Sequence, residues 1–111
     1  MKSREHVTTN SRAAFYASMW EDLKKAATNC GWSLGLHGSL NSDMDIMAMP
    51  WTDDAVEPME LMKKIEDLFT KPDMLCHGIK IDKDKPNGRV VYTIHIWADF
   101  YLDINIISTT N

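Results

Sequence analysis

The chain has 111 residues, and its 12 Lys and Arg side chains against 16 Asp and Glu side chains give a formal net charge of −4. About 100–150 residues is the commonest size for a single core, so we expect one domain over residues 1–111. A hydrophobic fraction of 44% and a charged fraction of 25% are typical of globular proteins and exclude a disordered tail, a collagen or a coiled coil. Nucleic-acid duplexes are negatively charged and attract clustered Lys and Arg side chains. This acidic chain has no such cluster, so no broad nucleic-acid surface is expected.

The cysteines and the hydropathy pattern bear on localisation. Cys30 and Cys76 can form at most one disulfide, and a secreted scaffold of this size usually carries more, so we expect reduced thiols. The polar N-terminus is unlike a signal peptide, and no apolar run approaches the roughly 18 residues of a membrane span. We therefore expect a cytoplasmic protein with no membrane segment.

The first predicted element is a helix that follows a polar arm over residues 1–9. Asn10 or Ser11 can cap this helix, and apolar side chains recur near every fourth residue as far as Cys30. Gly31 ends it. One face of the helix is therefore expected to be buried.

A hairpin and a second helix are predicted next. Residues 32–37 and 43–49 alternate as strands do, and their connection is too short for a crossover, which favours an antiparallel hairpin. Pro58 fits the first turn of a helix with an apolar stripe, and Pro72 prevents its continuation.

The last third of the sequence predicts a second hairpin. Residues 74–79 are compatible with a strand or a loop, and the charged stretch 82–88 ends in an Asn-Gly pair typical of turns. Residues 90–97 and 101–107 are β-branched and aromatic runs on either side of a short connection. The predicted fold is α+β in the order α-β-β-α-(β)-β-β, a small mixed or antiparallel sheet of about 4–5 strands with both helices on one face.

Three carboxylates lie where a strand is expected to be apolar. Asp43 and Asp45 are two residues apart, so their side chains leave the same face of one strand. Asp103 interrupts the last strand, whose opposite face is apolar. These acids either face solvent and bind an arginine such as Arg89, or are gathered for chemistry.

Gathered carboxylates repel one another, and burial disfavours their charged forms further. A divalent cation removes both penalties, and Mg²⁺ or Mn²⁺ suits hard oxygen ligands and supports phosphoryl transfer. His37, Gly38 and Ser39 end the preceding strand. A glycine there lets the backbone approach a ligand, the hydroxyl and amides can bind a phosphate oxygen, and the histidine borders the same site.

These residues resemble the nucleotidyltransferase (DNA polymerase β-like) superfamily, whose pattern is Gly-Ser, Asp-x-Asp and a distant third acid. In this sequence the pattern falls on Gly38 and Ser39, on Asp43 and Asp45, and on Asp103. The match involves about a third of the chain, with the elements in the right order on the predicted strands.

The closer resemblance is to small phage-type nucleotidyltransferase-like proteins. These proteins contain His-Gly-Ser, then Asp-x-Asp, then a hydrophobic strand that ends in Pro-Trp. This chain has the same motifs in the same order, beginning at His37 and ending at Pro50 and Trp51. Gly88 and Arg89 resemble a Gly-Arg of the same group. The resemblance implies a phage-encoded protein acting in the host cytoplasm.

The resemblance also implies roles for individual residues. Ser39, with Gly38 and His37, would contact the phosphates of a nucleoside triphosphate, and Arg89 would hold phosphate charge. The metal ligands would be the three carboxylates Asp43, Asp45 and Asp103. Asp103 would also help to deprotonate an acceptor hydroxyl, which receives a nucleoside monophosphate. The sequence does not indicate which nucleotide or acceptor is used.

The sequence departs from the family in two respects. Only Leu40, Asn41 and Ser42 separate Gly-Ser from Asp-x-Asp, which leaves no room for the short helix that most members have there. No additional domain to grip an acceptor is expected, so a working enzyme needs a homo-oligomer, a protein partner or a very small substrate. The alternative is a catalytically inactive module of the same fold that acts through protein contacts.

Overall fold

A computed structural model of the chain describes residues 4–38, 40, 43–69, 78–97 and 100–107, without the side chains of residues 4–11 and 97. Within these residues the chain forms two α-helices, five strands and a short 3₁₀ turn at Pro86–Gly88. The elements in chain order are α1 (Arg4–Asn29), β1 (Trp32–His37), β2 (Met44–Pro50), α2 (Pro58–Asp67), β3 (Ile79–Asp82), β4 (Val90–Trp97) and β5 (Phe100–Ile106). The α+β class and the predicted element order are therefore confirmed.

The sheet of the described residues is mixed, in the order β1-β2-β5-β4-β3. Both predicted hairpins are present, since β1 pairs antiparallel with β2 and β4 pairs antiparallel with β5. The central pair, β2 with β5, is parallel. Parallel neighbours need a crossover connection, and here the chain between them runs through α2, β3 and β4.

Both helices pack on one face of the sheet, as the sequence predicted. Side chains from α1, α2, β2, β4 and β5 are fully buried in the core between the helices and the sheet. The largest of them are Tyr16, Leu23, Met44, Ile46, Leu61, Met62, Ile65, Ile94, Ile96, Leu102 and Ile104. Burying this apolar surface is the main favourable contribution to folding.

Two boundaries differ from the sequence-based expectation. The first helix begins at Arg4 rather than at Asn10 or Ser11, so residues 4–9 continue the helix and do not form the polar arm that we expected. Polar residues can extend a helix whose later turns are anchored in the core, because adding a residue to an existing helix is far easier than starting one. The third strand is Ile79–Asp82, while the predicted segment 74–79 lies outside the described residues except for its last two positions.

Gly31 ends α1 and fixes the turn into β1. Its φ of +81° is a left-handed conformation that glycine adopts readily, and a Cβ at this position would lie 2.8 Å from the Cα of Ala55. The carbonyl oxygen of Gly31 accepts hydrogen bonds from the backbone N–H groups of Trp51 and Thr52. The end of the helix is thus tied to the segment that follows β2.

No helix in the described part of the chain is long and apolar enough to span a membrane.

Candidate active site

The sheet face opposite the helices carries a row of polar side chains. The strand register aligns His37 of β1, Asp45 of β2, Asp103 of β5, Thr93 of β4 and Lys80 of β3 across the sheet. Residues paired in register point to the same face. On the two central strands the neighbours of Asp45 and Asp103 point to the other face and are fully buried against the helices, namely Met44, Ile46, Leu102 and Ile104. We call the five aligned residues the polar row and their side of the sheet the open face.

Asp43 joins Asp45 and Asp103 in an electrostatically coupled cluster on the open face. The pKa of Asp43 is raised by desolvation, then by the negative charges of Asp103 and Asp45 and by a hydrogen bond that its protonated form donates to Asp103. Desolvation and the negative charge of Asp103 likewise raise the pKa of Asp45, and the electrostatic interaction with His37 partly offsets this rise. The structure therefore brings together the three acids selected from the sequence, and the charged forms of Asp43 and Asp45 are disfavoured first by burial and then by the neighbouring negative charges.

The end of β1 lies beside this cluster. Gly38 has a φ of +73°, and a Cβ at Gly38 would lie 3.7 Å from Oδ2 of Asp45. The backbone at Gly38 therefore lies next to one of the predicted metal ligands. His37 is exposed and is the register partner of Asp45, while Ser39 lies outside the described residues, so its phosphate contact stays a prediction.

Arg89 is brought to the same side of the sheet as the acids. Its Nη1 donates a hydrogen bond of 3.3 Å to Oδ1 of Asn105. Arg89, Asn105, Asp45 and Asp103 all line one open cavity of about 280 Å³. Two predicted carboxylates and the predicted phosphate-binding arginine thus share one cavity.

Thr93 and Asn105 are site residues that the sequence analysis did not select. The hydroxyl of Thr93 donates a 2.8 Å hydrogen bond to Oδ1 of Asp103, which fixes the direction of that carboxylate. Asn105 is 7% exposed, and its amide donates to the backbone carbonyls of Ile46 and Asp103 at 3.2 and 3.4 Å. A polar residue two positions after Asp103 on the same strand face is the signal that points to Asn105, whereas nothing in the local sequence singles out Thr93.

Helix α1 contributes a positive charge to the edge of the acid cluster. The guanidinium carbon of Arg12 lies 4.4 Å from the ring centroid of Phe100, and Arg12 also forms a side-chain hydrogen bond with Tyr16. The charge of Arg12 partly offsets the rise in the pKa of Asp43. These contacts hold a cation beside the acids, in a helix far from them in sequence.

The chemistry of this donor set fits Mg²⁺. The acids supply hard carboxylate oxygens. The raised pKa of Asp43 and Asp45 marks a place where a bound cation would relieve the repulsion between the carboxylates. Among the described residues, no three His, Cys, Asp or Glu side chains are already arranged as the ligands of one metal ion. A hydrogen bond from protonated Asp43 to Asp103 is one cause of the raised pKa of Asp43, so a proton and a cation would compete for the same carboxylate oxygens.

Replacing Asp43 should stabilise the cation-free protein. We expect Asp43→Asn to raise the free energy of unfolding near neutral pH by about 0.5–1 kcal/mol, the size of a like-charge interaction between neighbouring strands. The pKa of folded Asp43 lies above its unfolded value, so the folded chain binds more proton, and stability falls as pH rises through the interval between these values. The advantage of the Asp43→Asn variant should thus be complete above this interval and absent below the unfolded pKa of about 3.9.

Urea unfolding in the presence of a chelator, at about pH 7 and about pH 3.5, measures this difference. Asp53→Asn, an exposed acid in the loop after β2, is the matched control and should show a much smaller change. A less stable Asp43→Asn protein at neutral pH would mean that the acids do not repel one another in the folded state.

Comparison with known proteins supports the fold. No protein-family model matches the chain, and a search of curated proteins found no match. A solved structure of a cytoplasmic RNA terminal U-transferase superimposes with a TM-score of 0.53 at 14% sequence identity. The superposition covers 92% of this chain and 33% of that chain. The protein therefore shares its fold with part of this terminal U-transferase, and it spans about a third of the length of this neighbour.

Proposed function

We propose that the protein is a Mg²⁺-dependent nucleotidyltransferase that moves a nucleoside monophosphate from a nucleoside triphosphate to a hydroxyl group. The observation that carries this proposal is the electrostatic coupling of Asp43, Asp45 and Asp103, which lie near one another on the open face beside Gly38. These are the acids that the family pattern requires, and they lie on adjacent strands of a fold shared with a terminal U-transferase.

Each side chain has a distinct task in this proposal. Asp43 and Asp45, with Asp103, would hold Mg²⁺ or Mn²⁺, which when bound offsets the charge of the triphosphate and of the reacting oxygens. Arg89 binds phosphate oxygens from the cavity that it shares with Asp45. The turn at Gly38, with Ser39 and His37, binds the phosphates from the β1 side.

In this proposal Asp103 accepts the proton of the acceptor hydroxyl. Its Oδ1 receives the hydrogen bond of Thr93, so the carboxylate has a fixed orientation before substrate binds. A general base with a fixed position needs little rearrangement when the acceptor arrives.

The test is calorimetric titration with Mg²⁺ or Mn²⁺ and each common nucleoside triphosphate, on the wild-type protein and on the Asp43→Asn/Asp45→Asn variant. We expect cation-dependent triphosphate binding by the wild type and a loss of at least tenfold in the variant, because two of the proposed ligands become neutral amides. The Asp53→Asn/Glu57→Gln variant is the control, since it removes the same formal charge from exposed positions in the loop after β2.

Absence of binding by the wild type, or equal binding by the acid variant, would instead favour the inactive module that acts through protein contacts. The shortened connection between Gly38 and Asp43 is the feature that favours this alternative. A homo-oligomer or a protein partner, a phage origin and action in the host cytoplasm stay predictions from the sequence.

A further inference from the structure

We propose that a second cavity on the open face binds the acceptor, and that the acceptor is a nucleotide whose base stacks on the ring pair of Tyr101 and His95. This inference rests on the proposed function and names its acceptor class. The cavity has a volume of about 260 Å³ and is lined by Gly78, Lys80, Thr93, His95 and Tyr101.

The ring pair is the first feature that points to a nucleotide. Tyr101 and His95 are register partners on β5 and β4, and their rings stack with centroids 4.6 Å apart and planes inclined by 19°. Aromatic side chains on a sheet surface are a common platform for bases in single-stranded recognition, because every base has a flat π face. A base in this cavity would extend the existing stack.

A positive charge lies beside the ring pair. Lys80 is exposed, lines the same cavity and is the register partner of Thr93. An ammonium group next to an aromatic platform matches the two parts of a nucleotide, a flat base and an anionic phosphate.

The arrangement of the polar row assigns this cavity to the acceptor. The triphosphate is proposed to contact His37 and the turn at Gly38 on the β1 side of the acids, and Arg89 directly before β4. His95 is near the other end of β4, and Lys80 lies on the β3 side, so the ring pair is apart from both of these phosphate contacts. Thr93 lines both the cavity with Asp45 and Asp103 and the cavity with the ring pair. A nucleotide on the ring pair therefore approaches the acids from the side of Asp103.

This approach gives a balanced transfer step. An oxygen of the acceptor's ribose hydroxyl forms a bond to the α-phosphorus of the triphosphate, and the bond from that phosphorus to the bridging oxygen breaks, releasing pyrophosphate. The hydroxyl proton passes to the carboxylate of Asp103.

The cavity suits one nucleotide rather than a long strand. Its volume of about 260 Å³ is just below the roughly 300 Å³ at which small-molecule pockets begin, so the cavity has room for part of a nucleotide and not for several. A net charge of −4 also argues against a surface that follows many phosphates. The ligand is thus a free mononucleotide or the terminal nucleotide of a short RNA, which present the same chemistry.

The experiment measures binding of adenosine and of AMP by ligand-observed NMR without a divalent cation, so that the acid cluster is not needed. We expect Tyr101→Leu and His95→Gln each to bind both ligands about tenfold more weakly, since each removes one ring of the stack. Lys80→Ala should weaken AMP binding and leave adenosine binding unchanged. A short RNA with a 3′-terminal adenosine is titrated in parallel. Tighter binding of this RNA than of AMP identifies the ligand as the terminal nucleotide of an RNA, and tighter binding of AMP identifies it as a free mononucleotide.

Trp51→Leu and Lys63→Ala are the controls, because Trp51 is 72% exposed in the loop after β2 and Lys63 is exposed on α2. Unchanged binding in both ring variants, or an equal loss in Trp51→Leu, would overturn the acceptor site. Calorimetry with Mg²⁺ and triphosphate on Tyr101→Leu separates the two proposals. Wild-type triphosphate binding beside absent AMP binding contradicts only the acceptor site, whereas AMP binding without triphosphate binding contradicts only the proposed metal site.

Discussion

Asp103→Asn is expected to reduce nucleotide transfer by about 10²–10⁴-fold, the usual contribution of a positioned general base. Asparagine keeps the oxygen that accepts the hydrogen bond of Thr93, so the strand and the side-chain direction should be preserved. It cannot accept the acceptor's proton, and its neutral amide is a poorer ligand for a cation. The measurement is the rate of pyrophosphate release from a nucleoside triphosphate with Mg²⁺ and nucleotide acceptors.

The comparison with Asp45→Asn sharpens this prediction. Asp45 lies next to the turn at Gly38, on the proposed triphosphate side, so its loss should weaken triphosphate binding and transfer together. Asp103→Asn should lower the rate more than it lowers triphosphate affinity. Asp84→Asn, an exposed acid outside the sheet, is the control, and an Asp103→Asn protein with the wild-type rate would exclude Asp103 as the base.

Tyr16→Phe is expected to lower the free energy of unfolding by about 1–3 kcal/mol, the cost of leaving a buried polar group without its partner. Tyr16 is fully buried in α1, and its hydroxyl oxygen accepts a 3.1 Å hydrogen bond from the backbone N–H of Tyr101. Phenylalanine fills the same space without that oxygen. The start of β5 would then lose a tertiary contact just before Asp103.

Urea unfolding measures the loss, and native-state hydrogen exchange locates it. We expect the amide of Tyr101 to lose protection more than the amides of α2 do. Tyr92→Phe removes the same atom from a partly buried tyrosine on β4 and serves as the control. Equal losses in the two variants would show that the contact between α1 and β5 has no special role.

Helix α1 therefore connects the core to the acid cluster. Tyr16 holds the backbone of Tyr101, and Arg12 lies over the ring of Phe100 and beside Asp43. Phe15 also contacts Phe100, with ring centroids 4.6 Å apart. The backbone of Tyr101 and the ring of Phe100 are thus anchored to α1, and strand alternation directs Asp103 to the open face.

Local patterns in the sequence were sufficient to predict most of the fold. Alternation along 43–49 and 101–107 determined which side chains share a face, because successive residues of a strand point to opposite sides. Met44 and Ile46 are fully buried while Asp45 between them is not, as this pattern requires. The short connections likewise determined both hairpins, since neighbouring antiparallel strands need no crossover.

The start of α1 and the position of β3 could not be predicted in the same way. The polar residues 4–9 carry no apolar periodicity, so their helical state depends on the anchored turns that follow. The exposed strand Ile79–Asp82 has a charged side chain at every second position. Its pairing with β4, rather than its own composition, makes it a strand.

By itself the sequence determined which acids interrupt core strands and on which face of each strand they lie. Only the tertiary structure decided that β2 and β5 are parallel neighbours with Asp45 opposite Asp103. It also decided the register of β4 against β5. An irregularity between His95 and Trp97 places Thr93 opposite Asp103. If the pairing of Trp97 with Phe100 continued without this irregularity, Thr93 would lie opposite Ile104. The physical reason is that periodicity within a strand assigns a face, whereas strand order and register depend on contacts between segments far apart in the chain.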